Sequence, residues 1–456
     1  MDNNLKKEFK SIVGSRNYSD GEAERFCYSY DATRLQYRPD IVIFAENTEQ
    51  VVRIAKLANE NRIPLFPRGA GSGFSGGSLP VKGGVALCLT KMNRIKEIDV
   101  ANLVATVEPG VVNADLRRAV EARGLFYPPD PASLEFSTIG GNVAECAGGP
   151  TCIKYGVTRS YILGLEVVLG TGDVIRPGGV LVKNVAGYDL VRLFCGSEGT
   201  LGIITEINLR LIPLPEGKTT IMAIFPSVEQ AAKTVARTVQ SRILPAALEF
   251  MDATCIMAVE RYKKIGLPTD AGAVLIIEAD GPARVLAAQR ERIESLCREC
   301  GAISAASADD EKERENLWQA RRAISSAVSS LAPRKVNEDV AVPPAQIPEL
   351  LRRIDIVAKE MDLVIANFGH AGDGNIHVNI LYDPDVQGMQ KRAEDAAERV
   401  FDIALELNGT ITGEHGVGIT KADFLEKQIG RKQVELMRAL KGVFDPNNIM
   451  NPGKIF

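Results

Sequence analysis

The chain has 456 residues, of which 45% are hydrophobic and 25% charged, and a formal net charge of −4. At roughly 150 residues per domain this length suggests about three domains or two large ones, and the composition excludes wholesale disorder, a collagen-like repeat and a coiled-coil rod. The balance of charge gives neither nucleic acid nor an anionic membrane surface a reason to bind.

The opening stretch MDNNLKKEFKSIVG has no apolar core and no small-residue cleavage site of a secretory signal, so a cytoplasmic location is expected. The longest apolar runs, such as residues 85–89, fall far short of the ~18–20 residues a membrane span requires, and no direct membrane span is expected. Residues 41–44 read as a strand, Asn47 as a helix N-cap, 48–59 as a helix with apolar Val51, Val52, Ile54, Ala55 and Ala58, and 63–66 as a second strand. The peptide GSGFSG at 71–76 then matches the dinucleotide pattern GxGxxG. A Rossmann site would need a helix at this point, and Gly77, Pro80, Gly83 and Gly84 forbid one before the strand at 85–89. The loop therefore runs from strand to strand, and its free N–H groups can still form an anion-binding nest for a diphosphate.

Between 103 and 215 short apolar segments alternate with glycine turns: strands are expected at 103–107, 162–169, 174–175 and 201–211, with a helix near 114–122. The alternation is α+β rather than regularly doubly wound. Pro213, Pro215 and Gly217 mark a boundary, after which helices are expected at 228–240, 282–299 and 309–330 and strands at 273–278 and 336–342. Residues 361–382, MDLVIANFGHAGDGNIHVNILY, have the pattern of a strand, a short loop and a returning strand.

Two scarce residue types concentrate the chemistry. About half of the 41 glycines fall in 69–84 and 140–202, as expected where backbone must approach a ligand closely. The chain's three histidines, His370, His377 and His415, all lie in its last fifth. On a helix or a single strand His370 and His377 could not share an ion, but across a hairpin they can meet, and the two-residue period puts Asn379 beside His377. Glu414 and His415 sit among Gly413, Gly416 and Gly418 in NGTITGEHGVG. Two imidazoles and a carboxylate suffice to hold a divalent cation such as zinc, manganese or iron with positions open for substrate, which leaves His415 to serve as a base. The eight cysteines include one CxxC, Cys297 and Cys300, which reads as two thiols one helical turn apart; no iron–sulfur or zinc framework is present.

The motifs PRGAGSGFSGG (67–77), PPDP (128–131), STIGGNVAECAGG (137–149), KYG (154–156), VKNVAGYDL (182–190), GSEGTLGIIT (196–205), GHAGDGNIHVN (369–379), GEHGVG (413–418) and FDPNNIMNPGKIF (444–456) together resemble one family. It is that of the FAD-linked oxidases of the vanillyl-alcohol oxidase and p-cresol methylhydroxylase type, in the branch of D-lactate dehydrogenase, D-2-hydroxyglutarate dehydrogenase and the flavin-binding component of glycolate oxidase. The resemblance implies a two-subdomain FAD-binding domain of the p-cresol methylhydroxylase type at 1–215 and an antiparallel-sheet substrate domain with the metal hairpin at 216–410. A C-terminal segment, 411–456, would return to the FAD domain.

The resemblance places FAD on Pro67, Arg68, Gly69, Ala70, Gly71, Ser72, Gly73, Gly76 and Gly77, with Pro131 next. A second segment comprises Ser137, Thr138, Gly140, Gly141, Asn142 and Ala144, followed by Tyr155 and Gly156, and a third comprises Gly199, Thr200, Ile203 and Ile204, with Asn451 from the C-terminus. No histidine lies in or near the first loop, so the flavin is expected to be non-covalent. Family metal ligands map onto His370, His377 and Glu414, and the family base onto His415. Arg321, in WQARRAIS, and Lys335 resemble family contacts to the substrate carboxylate. The implied reaction is oxidation of a small 2-hydroxy acid to the 2-oxo acid by hydride transfer to flavin. Electrons would pass to an iron–sulfur subunit or an electron-transfer flavoprotein, and a homodimer is left open. Two other readings compete: a metal-dependent hydrolase without flavin, and a non-catalytic flavin subunit of a larger redox complex.

Overall fold

The computed structural model describes residues 1–308 and 310–456. The chain divides into two units, the first formed by Met1–Gly148, Val157–Leu214 and Glu414–Phe456, the second by Gly149–Gly156 and Pro215–Gly413.

In the first unit, among the described residues, the strands in chain order are β1 (Tyr18–Ser19), β2 (Ile41–Phe44), β3 (Leu65–Arg68), β4 (Val85–Cys88), β5 (Ile95–Asp99), β6 (Val104–Val107), β7 (Leu125–Phe126), β8 (Ile162–Val168), β9 (Val174–Ile175), β10 (Ile203–Arg210) and β11 (Ile212–Pro213). They form a four-stranded sheet β1-β2-β4-β3, a five-stranded sheet β5-β6-β10-β8-β9 and the pair β11-β7. Strands β2, β4 and β3 are parallel, and the helix Thr48–Glu60 makes the crossover from β2 to β3. Asn47 starts that helix by accepting the Gln50 N–H at 3.0 Å. Val51, Ile54, Ala55 and Ala58 recur on its inner face and bury against Ile41, Ile43, Leu65, Val85 and Leu87; full burial of each Val or Ile contributes roughly 1.5–3 kcal/mol. Strand β3 begins two residues later than the sequence suggests. The Ile63 N–H is used to close the helix, donating to Ala58 O at 2.8 Å, and Leu65 instead pairs with the C-terminal segment through Ile449 O at 2.7 Å.

No helix follows the first glycine loop; residues 69–84 run in turns to β4. The second glycine cluster does contain a short helix, Ile139–Glu145, entered at Thr138 and left at Cys146 in a left-handed conformation.

The second unit is built on β12 (Gly217–Phe225), β13 (Ala247–Asp252), β14 (Ala273–Gly281), β15 (Ser304–Ser307), β16 (Arg334–Ala341), β17 (Val364–His370) and β18 (Asn375–Tyr382). Their order is β15-β12-β14-β13-β17-β18-β16, and every neighbouring pair is antiparallel. Helices Ala253–Lys263 and Glu311–Val328 cover one face, where Ile256, Leu317 and Ile324 join Met251, Ile276, Phe368 and Leu381 in a common core. Of the expected helix at 309–330, Asp309 lies outside the described residues; the helix starts at Glu311, with Asp310 accepting the Glu313 N–H at 2.8 Å. Gly149–Gly156 groups with this unit because Lys154 pairs with Asp280 and the Tyr155 hydroxyl donates to the same carboxylate at 2.6 Å. Among the described residues no helix is long and apolar enough to cross a membrane, and Cys297 and Cys300 are buried free thiols at the end of helix Ala283–Glu299.

Candidate active site

Within the first unit, parts of 67–78, 137–148 and 198–204 line a cleft of about 1270 Å³, counting its open mouth. Side chains are excluded where these stretches meet: a methyl group at Gly69 would collide with Thr138 Oγ1, and one at Gly77 would lie 2.5 Å from Glu145 Oε1. Among the described residues the N–H groups of 69–74 make no hydrogen bond to protein, and the buried Ser137 Oγ and Asn142 Nδ2 in the cleft wall have no partner. The Arg68 guanidinium is buried beside the Tyr28 ring, 5.4 Å from its centroid. A run of unspent N–H donors, orphaned polar atoms and one buried cation are what an extended diphosphate-bearing cofactor would satisfy, so these residues fit FAD.

Of the flavin positions expected from sequence, Pro67 to Gly73, Gly77, Pro131, Ser137, Thr138, Gly140, Gly141, Asn142, Ala144, Gly199, Ile203 and Ile204 line the cleft. Gly76, Thr200 and Asn451 stand behind it. A methyl at Gly76 would lie 2.6 Å from Ile419 Cγ1, the Thr200 hydroxyl donates to Ser197 O, and the Asn451 amide donates to Gly77 O and Glu198 O at 2.8 and 2.6 Å. Tyr155 and Gly156 belong to the second unit.

Glu414 and His415 line this same cleft. The His415 imidazole lies against Phe74 of the glycine loop, 5.1 Å between centroids at 30°.

In the second unit, strand register decides which side chains share a face. Glu249 on β13 pairs with His370 on β17, His370 pairs with Asn375 on β18, and His377 on β18 pairs with Asp339 on β16. Paired residues share a face and alternate residues return to it, so Glu249, His370, His377, Asn379 and Lys335 all project toward helix Glu311–Val328. The hairpin brings the two histidines together with a ring nitrogen of each within 4.8 Å and their rings 5.4 Å apart at 84°. The turn is specific to glycine at Gly374, which has φ +92°; a methyl there would collide with Val342 O.

Glu249, which no sequence motif marks, organises this face. It is fully buried and accepts from His370 Nδ1 at 2.8 Å and from Arg321 Nε. Burial alone would raise its carboxyl, but Arg321 and His370 outweigh burial and hold it below the usual carboxylate range. The carboxylate fixes the ring orientation of His370 and directs the other nitrogen away from Nδ1, the usual arrangement behind a ligating histidine. Arg321 is 4% exposed, lies 4.9 Å from the Phe368 centroid and reaches His370 Nδ1 at 3.4 Å with Nη2. Lys335 Nζ sits 3.3 Å from Ser325 O and Oγ, and the buried Asn379 amide donates to Ala366 O and His377 O at 3.4 Å.

Asp339 anchors the stretch that leads into Glu414 and His415. It accepts from Thr412 Oγ1 at 3.1 Å and from the Gly413 N–H at 2.8 Å. Gly413 packs so closely on Asn375 that no side chain fits there, and Glu414 is the next residue along the chain.

Comparisons with known proteins show the family. The family "FAD binding domain" matches residues 39–178, and "FAD linked oxidases, C-terminal domain" matches residues 214–455. The chain belongs to the FAD linked oxidases. It is 48% identical over 453 residues to the glycolate oxidase subunit GlcD of Bacillus subtilis (strain 168), covering 99% of this chain and 96% of that protein. It is 38% identical to the D-lactate dehydrogenase of Anaerostipes hadrus, covering 98% and 96%. Among solved structures, p-cresol methylhydroxylase with substrate bound shares the fold, with a TM-score of 0.81 at 19% identity over 99% of this chain and 96% of that one.

Proposed function

We propose that the chain is a D-2-hydroxyacid dehydrogenase of the D-lactate or glycolate type, with FAD held non-covalently and a divalent cation of zinc, manganese or iron held by His370, His377 and Glu414. The observation that carries the reading is His415 in the wall of the glycine-lined cleft, beside the loop that fits FAD. The cation site is supported by the Glu249-oriented histidine pair and by the anchoring of Gly413, directly before Glu414, on Asp339.

When bound, FAD would accept the hydride from C2 of the substrate, and the cation would supply Lewis acidity at the α-hydroxyl. The protein's part is proton transfer and positioning. His415 takes the hydroxyl proton on a ring nitrogen, a task worth roughly 10²- to 10⁴-fold. Arg321 gives one donor, Nε, to Glu249; its remaining guanidinium donors suit a substrate carboxylate. Lys335 adds a second positive charge on the same sheet face, and Asn379 offers its amide oxygen Oδ1 beside His377. Phe74 holds the imidazole plane and keeps water from that side of it.

The similarity to a glycolate oxidase subunit favours electron delivery to a partner protein, for which we propose an iron–sulfur subunit or an electron-transfer flavoprotein. The test is anaerobic mixing of the purified protein with glycolate, D-lactate and D-2-hydroxyglutarate in turn while the flavin absorbance is followed. Bleaching by at least one of them is expected; an unbleached flavin with all three would exclude the proposal.

A further inference from the structure

The turn after His415 is gripped by two acids that neither the motifs nor the proposed chemistry assigns to a role. Glu198 accepts the N–H groups of Val417 and Gly418, each at 2.7 Å, one on each carboxylate oxygen. Glu145 closes on the same turn from another side: a methyl at Gly416 would collide with Glu145 Oε2 and lie 3.0 Å from Glu198 Oε1. The two carboxyl groups therefore meet over one Cα, and Gly416, at φ +86°, is the residue that lets them. The turn's exit is fixed as well, since the Ile419 N–H donates to Ser75 O at 2.8 Å.

The groups around the pair are Asp31, Ser75, Lys421 and Lys454, and the buried Lys454 ammonium donates to Leu79 O at 2.6 Å. Burial pushes Glu145 well up, with Glu198 and Asp31 adding to the shift, and burial pushes Glu198 up to about 7. Two carboxylates this close in the cleft wall, Glu198 buried and Glu145 half-buried, cannot both ionise cheaply, so the pair keeps a proton. A wall of this kind is costly to build by comparison with apolar packing. Its geometric effect is to fix the backbone on the C-terminal side of His415, while Phe74 fixes the ring.

We propose that Glu198 and Glu145 are positioning residues for His415, a carboxyl pair in the cleft wall that clamps the turn Gly416 to Gly418 and so holds the imidazole at one place in the cleft. The inference rests on the reading of His415 as the base, and a double-mutant cycle separates the two. Flavin reduction is measured by anaerobic rapid mixing, using whichever of glycolate, D-lactate and D-2-hydroxyglutarate reduces the wild-type flavin fastest, in E198Q, H415N and the double variant. E198Q should keep its FAD and its substrate KM yet reduce flavin about 10-fold or more slowly, because the neutral amide can accept only one of the two N–H groups. In the H415N background the same change should cost less than about twofold, since a misplaced base has nothing further to lose.

Full additivity of the two losses would overturn the inference and leave the base assignment standing. An unslowed H415N would overturn the base assignment and the inference with it, as would a flavin that none of the three acids reduces. E145Q repeats the cycle with the other member of the pair and should show the same non-additivity. Loss of FAD or of folding in both E198Q and E145Q would make the pair purely structural and refute the proposal.

Discussion

Replacing Glu249 by Gln preserves the shape of the side chain and removes its charge from a site where it faces Arg321 and His370 with no exposure to solvent. Arg321 would then be a buried guanidinium, 4% exposed, without a counter-charge. Breaking a buried pair by removing one partner costs about 3–5 kcal/mol. Against a typical total stability of about 5–15 kcal/mol this is a large fraction, and with a urea slope of about 1–3 kcal/mol/M it moves the midpoint by roughly 1–5 M. With two units, a global unfolding signal would mix two transitions. The chain's single tryptophan, Trp318, resolves this: it lies on helix Glu311–Val328 and donates to Glu278 at 2.8 Å, so its fluorescence reports the second unit alone. The same substitution leaves one acceptor oxygen for two donors, His370 Nδ1 and Arg321 Nε, and removes the charge that orients His370, which should weaken divalent-cation affinity about 10- to 100-fold, read by titration of the metal-free protein. Flavin content should stay at the wild-type level. A Trp318 transition shifted by less than about 1 kcal/mol, together with cation affinity within twofold of wild type, would refute the assignment of Glu249 as the organiser of this face.

Other substitutions separate the two ligand sites and the backbone requirements. His377→Ala should lose the cation and retain the flavin, as metal analysis and the absorbance spectrum would show, and acid precipitation of either protein should leave the yellow colour in the supernatant. Gly374→Ala forces a methyl into Val342 O at φ +92°, a strain plus overpacking cost of about 2–4 kcal/mol; the Trp318 transition should move by that amount, and an unshifted midpoint would contradict the turn geometry. Burial raises Glu198 from 4.5 to about 7, so the folded state binds its proton more tightly than the unfolded chain does. Stability from this group is full below about pH 4.5 and is lost as pH rises through about 7, by at most about 3 kcal/mol. Thermal unfolding of flavin-free wild type and E198Q at pH 5 and 7.5 should show the difference between them changing with pH; a pH-independent difference would rule this out.

The parts of the site legible in the sequence are those whose signal is local. Glycine density marks the strand-to-strand loop and the second cluster because positive φ and close backbone approach demand glycine at Gly71, Gly76 and Gly199. The hairpin is legible because two apolar strands flank a short polar turn, and its geometry alone brings His370 to His377. Glu249 is not legible because its partner lies 121 residues away on a strand paired only in the folded sheet. Its one local trace is a carboxylate at an inward position between buried Leu248 and Phe250. Glu145 and Glu198 lie inside recognised motifs, but their grip on 416–418 spans more than 200 residues and leaves no periodicity. The excursion Gly149–Gly156 reads as part of the first domain because nothing in KYG announces the Lys154 and Tyr155 contacts to Asp280.

Hydride loss from C2 with His415 as the base is measured by the rate of anaerobic flavin reduction by a 2-hydroxy acid carrying deuterium at C2, compared with the unlabelled acid, in the wild type and in H415N. The labelled substrate should bleach the wild-type flavin several-fold more slowly, because the C2 hydrogen leaves in the reducing step, and H415N should be slower with both substrates by roughly 10²- to 10⁴-fold. Flavin bleaching at equal rates with both substrates and undiminished in H415N would contradict it.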